Sequence, residues 1–337
     1  MKTVLTILFL LALATAALGQ ATTSNCVTCH QDFEEEDGPS YLLSRDVHAQ
    51  KGLGCEGCHG GDPTLDDMDE VRESPGWRGV PDHIEVPEFC ASCHSDASYM
   101  HEHNPSLPVD QLDKFRTSFH GKRIFEQRDQ KAANCISCHG VHEIAGAELP
   151  FSKTHPLNLP ATCGACHADA DYMKEYGIPT DQLADYEQSV HGKALLDRGD
   201  LGAPACNDCH GNHAAMPPEI SNVSQVCRTC HAGNGELFDG SKHKLAFERN
   251  GWPECERCHG NHSIDDTDDS MLSEASNPLC YECHREYAED NPNCEETAKY
   301  FHASITSLAS ESESLERLIH PLAKRGLDVD PLTATVG

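Results

Sequence analysis

The feature that most constrains this chain is a five-residue pattern that occurs nine times. Of the 19 cysteines, 18 fall in C-x-x-C pairs, and each pair is followed directly by histidine. The stretches are "CVTCH" (26–30), "CEGCH" (55–59), "CASCH" (90–94), "CISCH" (135–139), "CGACH" (163–167), "CNDCH" (206–210), "CRTCH" (227–231), "CERCH" (255–259) and "CYECH" (280–284). Two thiols spaced this way reach one edge of a porphyrin and add to its two vinyl groups. The next residue then lies beneath the iron, where its imidazole becomes the proximal ligand. Zinc would need four ligands closed around one ion, and zinc fingers set their histidines well after the cysteines. A disulfide framework gives no reason for histidine after every pair. The reading is nine haem c groups. They are attached through Cys26, Cys29, Cys55, Cys58, Cys90, Cys93, Cys135, Cys138, Cys163, Cys166, Cys206, Cys209, Cys227, Cys230, Cys255, Cys258, Cys280 and Cys283. Their proximal ligands are His30, His59, His94, His139, His167, His210, His231, His259 and His284.

The motifs sit in a repeat. "LPVDQLDKFRTSFHGK" (107–122) is similar to "IPTDQLADYEQSVHGK" (178–193), and each leads into a motif extended by a second histidine, "CISCHGVH" and "CNDCHGNH". Upstream, "CASCHSDASYM" (90–100) matches "CGACHADADYM" (163–173). The unit is a first motif, a segment ending in Ser-x-His-Gly-Lys, and a second motif of the form C-x-x-C-H-G-x-H. A shortened copy follows, with "SKHK" (241–244) and "CERCHGNH"; a degenerate one precedes, with "RDVHAQKG" (45–52) and "CEGCHGG". Four two-haem copies plus one lone motif result, and units too small to hold their own core usually stack into an array. The Ser-x-His-Gly-Lys segment reads as one helix in the third copy: Leu183, Tyr186, Val190, His191 and Ala194 recur at helical steps between an N-cap at Thr180 and a stop at Gly199. No strand pattern persists. The expected fold is mainly α with extensive irregular loops and little or no β-sheet, its core formed by haems. With about 35 residues for each motif, the protein alone could hardly bury enough apolar surface.

Thirteen of the 22 histidines lie outside the motifs, and nine irons would need nine distal ligands. His48, His120, His191 and His243 recur between the two motifs of each copy and form one set. His142, His213 and His262, from C-x-x-C-H-G-x-H, form a second. The first copy reads "CHGGDP" at that place, and His83 is the candidate replacement. His302 is the candidate for the last iron, and His155 competes with both. His101, His103 and His320 read as surface residues. His213 follows His210 by three residues, so both imidazoles leave on the same side of the attached porphyrin, and His213 should bind the iron of a different haem, the neighbour within a stacked pair. Met68, Met100, Met173, Met216 and Met271 are poor competitors, and bis-histidine haems without methionine ligation should have low potentials.

Residues 1–19 read as a secretory signal peptide: Lys2, an apolar run of about fifteen residues, then small residues before a cut at Gly19. That run is short for a membrane span. The mature protein is expected to be exported, periplasmic or extracellular, and not membrane-spanning. Residues 20–293 form the haem region. Residues 294–326 carry an apolar stripe (Phe301, Ile305, Leu308, Leu315, Leu318, Leu322) that reads as an amphipathic helical segment, packing on its own chain or on a partner; 327–337 is a tail. Cys294 has no partner in the chain, and reads as a buried free thiol or one half of an intermolecular disulfide. The formal charge of −30 argues against nucleic acid and for partners with basic patches.

These motifs and repeats resemble those of exported multihaem c-type cytochromes with doubled C-x-x-C-H repeats, over nearly all of residues 26–302. The resemblance implies an electron-transfer protein carrying electrons along closely packed bis-histidine haems. Redox partner proteins are then expected, among them a membrane quinol-oxidising cytochrome or another multihaem cytochrome. Two other readings stand beside it. One is a multihaem oxidoreductase with one open haem, acting on small nitrogen or sulfur compounds. Such enzymes usually replace a motif histidine by lysine, and no C-x-x-C-K occurs here. The other is a self-associating subunit of an extracellular cytochrome filament.

Overall fold

A computed structural model describes residues 24–33, 38–217, 223–266, 271 and 294–325. The expected leader, the ninth motif with Cys280, Cys283 and His284, and the tail lie outside them. The described residues form short helices joined by turns and loops, with no strand among them. Two compact units emerge: Met1–Ala184 with His191–Pro218, and Asp185–Val190 with Glu219–Gly337.

The two motif types take different helices. The first motifs of the second and third copies end longer ones, Val86–His94 and Leu159–His167, each with proline in the first turn, where its missing N–H costs nothing. Second motifs are single turns: Cys55–His59, Cys135–His139 and Cys206–His210. Each stops at the glycine after its histidine, with Gly60, Gly140, Gly211 and Gly260 at φ of 69°, 78°, 76° and 73°. A side chain is strained there, which explains the glycine of C-x-x-C-H-G-x-H. At the entry, the Asn134 side chain accepts from the N–H groups of Ile136 and Ser137.

The Ser-x-His-Gly-Lys segment is not the single helix expected from its periodicity. It breaks at the serine, into Gln111–Thr117 and Phe119–Gln127 in one copy, and into Gln182–Gln188 and Val190–Gly192 in the next, where a π-helical turn Lys193–Asp197 follows. Ser118 is extended (φ −67°, ψ 162°), and its Oγ accepts the N–H of Gly121 at 2.9 Å. A serine side chain that can replace a helical partner favours a new N-terminus over a continued helix. The Gly121 of this motif is required by close approach: a Cβ there would lie 1.8 Å from the Phe115 carbonyl oxygen. The histidine thus becomes the second residue of a freshly started helix, its direction fixed by the cap.

Apolar burial is modest. Ile84, Ile124 and Ala132 make one small cluster with Phe115 and Phe125 against it. The C-terminal helix runs Cys294–Lys324, and Phe301, Leu308, Leu315 and Leu318 on its expected apolar stripe are exposed. No helix among the described residues is long and apolar enough to cross a membrane.

Candidate haem sites

Histidines distant in sequence are brought face to face in the first unit. Ring centroids lie 5.9 Å apart for His48 and His94, 6.1 Å for His59 and His142, 6.1 Å for His120 and His167, and 6.0 Å for His139 and His213. In every pair one member is a motif histidine and the other a candidate distal ligand. An imidazole nitrogen sits about 2 Å from a transition metal and its ring centroid about 1.1 Å further back, so two imidazoles sharing a metal have centroids about 6 Å apart. Near-parallel rings in direct contact would sit at the short end of the range for packed aromatics, about 4.5 Å. His139 and His213 are 11° from parallel at 6.0 Å, a slot one metal ion deep. The donor set fits haem iron.

The ring nitrogens are oriented for it. His48 Nδ1 donates to Asp46 Oδ1 at 2.9 Å, and the same oxygen accepts the His48 N–H at 2.8 Å. The other Asp46 oxygen accepts the N–H of Ile144 at 2.8 Å. Burial opposes ionisation of Asp46, but these bonds outweigh it and hold its carboxyl below the usual range. His59 Nδ1 donates to the Gly79 carbonyl at 3.0 Å, and His210 Nδ1 points at the Met216 carbonyl at 3.3 Å. Each leaves Nε2 for a metal, the arrangement usual for ligating histidines. Burial, then the neighbouring His167, pushes the His120 imidazole down to about 4. Burial likewise lowers His94, His139 and His213, which keeps the rings neutral, the form that binds metal.

Within each unit, thiols of neighbouring motifs lie close to one another. Within a copy, the first cysteines of the two motifs meet: Cys90 hydrogen-bonds Cys135, which raises the Cys135 thiol, and Cys206 does the same to Cys163. In the outer copies, burial first and then Cys26 raises Cys55 to about 11, and burial and then Cys227 raises Cys255 to about 11. Between copies, Cys138 is raised by burial and by Cys166, and Cys58 by burial and by Asp46, Cys90 and Cys93.

The other candidates are placed differently. His83 faces no motif histidine: its Nε2 donates to the Ala132 carbonyl at 2.8 Å and its Nδ1 receives Asn134 Nδ2 at 3.3 Å. Both nitrogens contact the loop that enters the Cys135 turn. His155 is buried, with Nδ1 accepting the Leu157 N–H. His191 lies in the turn Val190–Gly192, His243 on Lys242–Asn250 beside Phe247, His262 in the loop after Glu256–His259, and His302 on the C-terminal helix. The sequence reading missed Asp46. Its signal was there, because "RDVH" puts aspartate where the other copies have the capping serine.

The chain is a multihaem c-type cytochrome, a class of protein that binds haem c covalently. Four family profiles match in succession: cytochrome c554 and c-prime over 12–60, cytochrome c3 over 47–168, cytochrome c7 and related cytochrome c over 149–232, and the doubled CXXCH motif over 249–289. Among curated proteins it is similar to the C-type polyheme cytochrome OmcC of Geobacter sulfurreducens, 24% identical over 249 residues, covering 64% of this chain and 30% of that one. It is also similar to the dissimilatory sulfite reductase MccA of Wolinella succinogenes, 25% identical over 234 residues, covering 63% of this chain and 28% of that one. The chain thus spans less than a third of the length of these relatives. No solved structure matches it.

Proposed function

We propose that the protein transfers electrons along nine closely packed haems, each iron held between two imidazoles. The observation that carries this is the set of four histidine pairs at 5.9–6.1 Å, each joining a motif histidine to one from elsewhere in the chain. Bound haem iron supplies one-electron chemistry by cycling between its ferric and ferrous states. The residues of the chain do the rest. Cysteine pairs would fix each porphyrin, and the opposed imidazoles would hold its iron and keep other ligands out. Asp46 and the Gly79 carbonyl hold Nδ1 protons, so the rings stay oriented. The thiol contacts within each unit support short steps between neighbouring sites. His191, His243 and His262 are the corresponding ligands of the later copies, His302 serves the ninth motif, and His83, with His155 as its competitor, completes the nine. The measurement is haem count by holoprotein mass, with EPR and carbon monoxide titration. Nine haems, all low-spin and unresponsive to carbon monoxide, are expected; fewer haems, or an open iron, would overturn the reading.

A second reading is favoured by the likeness to a protein named as a sulfite reductase: one open haem acting on a small sulfur or nitrogen compound. Sulfite or nitrite turnover by the reduced protein, together with a high-spin signal, would favour it over a pure carrier.

A further inference from the structure

We infer that successive copies of the repeat are joined by a crossed clasp. Each copy closes the iron at the first motif of the next copy, and the next copy closes the iron at the second motif of the one before it. The inference rests on the bis-imidazole reading above and assigns which residue serves which iron.

Four ring pairs carry it. His48 belongs to the first copy and stands opposite His94, the first-motif histidine of the second copy. His142 belongs to the second copy and stands opposite His59, in the second motif of the first copy. The next junction repeats the exchange: His120 of the second copy faces His167 of the third, and His213 of the third faces His139 of the second. Histidines from the helical set reach forward along the chain, and those from C-x-x-C-H-G-x-H reach back.

A backbone bond ties the two arms at each junction. The residue before the forward histidine donates its N–H to the carbonyl two residues after the backward one. Val47 bonds Ile144 at 2.7 Å, and Phe119 bonds Ala215 at 3.0 Å. Val190 bonds Ile264 at 2.9 Å, the same bond between the third copy and the fourth. Asp46 adds a side-chain link, because one carboxylate holds both His48 and the Ile144 N–H. His142 adopts a left-handed backbone, φ 62°. That conformation is uncommon without glycine and persists where surroundings enforce it.

The short tether supplies the reason for crossing. Only Gly140 and Val141 separate His139 from His142, too few to pass around a porphyrin edge to its far face. The backward arm must therefore serve another haem, and the paired thiols put the haems of neighbouring copies in reach. The first copy reads "CHGGDP" and has no backward arm, so it takes part in one clasp through His48 and His59 alone.

The test uses full-length holoprotein and counts irons that bind carbon monoxide. His48→Ala and His142→Ala should each add one such iron per chain, and free imidazole should restore the low-spin spectrum, which damage to the fold would not allow. Epistasis then names the iron. In a Cys90→Ala/Cys93→Ala background His48→Ala should add none, while in a Cys55→Ala/Cys58→Ala background it should still add one. For His142→Ala the two backgrounds should exchange roles. The opposite pattern would mean that copies close their own irons, and would overturn the clasp. Where haem-deletion variants do not accumulate, His48→Ala/His94→Ala should open one iron and not two; two would again overturn it. If unaltered protein binds carbon monoxide at these sites, or neither histidine variant opens an iron, the bis-imidazole reading itself fails and the clasp falls with it.

Discussion

His139 and His213 face each other at 6.0 Å and 11° although they belong to successive copies of the repeat. His213 lies three residues after His210, yet the ring it meets is the one in the preceding second motif. Replacing His213 by alanine should leave the haem on Cys206 and Cys209 six-coordinate and open the iron on Cys135 and Cys138. EPR should gain one high-spin signal per chain, and the covalent haem content should not change.

Asp46 is 3% exposed and accepts three hydrogen bonds, two of them from His48. Asp46→Asn keeps the size but removes the charged acceptor that holds the His48 ring. Partners of this kind are worth about 10- to 100-fold in metal affinity. The reduction potential of the haem on Cys90 and Cys93 should rise, and carbon monoxide should displace His48 at least about tenfold more readily. A redox titration of both proteins checks this.

Gly121 has no room for a side chain: its Cβ would sit 1.8 Å from a backbone oxygen. Gly121→Ala should destabilise the local helix pair by about 1–3 kcal/mol, the usual range for overpacking. The iron facing His120 should be the one affected. Ser118→Ala, which removes the cap to the Gly121 N–H and the hydroxyl's bond to the Phe115 carbonyl, should cost about 1 kcal/mol and leave the ligand in place. Denaturation midpoints, followed at the Soret band, separate the two.

The formal charge of −30 should make electron exchange with a basic redox partner fast at low salt. Screening shortens the reach of the field to about 8 Å at physiological ionic strength. Stopped-flow rates should therefore fall as salt rises, and rates with an acidic partner should rise.

The motif chemistry was legible because it is written in spacing: Cys-x-x-Cys-His leaves little freedom, and the recurrence of His48, His120, His191 and His243 marked a set. The absence of strands among the described residues followed from the missing alternation. The break at Ser118 was not legible, because Leu183, Tyr186 and Val190 keep a helical period across the corresponding serine, while the cap acts on the backbone, which periodicity does not report. The placing of His83 was hidden for a similar reason. Its ring meets the Ala132 carbonyl and Asn134, contacts that no spacing reports. The direction in which His142 and His213 reach depends on stacking between copies, and a short tether excludes the near iron without naming the far one.

The four ring pairs differ in the angle between their planes: 11° for His139 with His213, 36° for His59 with His142, 59° for His120 with His167, and 79° for His48 with His94. Parallel imidazole planes split the two iron orbitals of π symmetry, and crossed planes bring them toward degeneracy. Low-spin ferric irons between these pairs should give distinct magnetic anisotropies, rhombic at the first pair and strongly axial at the last. The repeat builds chemically identical stations, but the twist between ligands gives each its own spectroscopic address, so individual irons could be followed in a protein whose haems share one absorption spectrum.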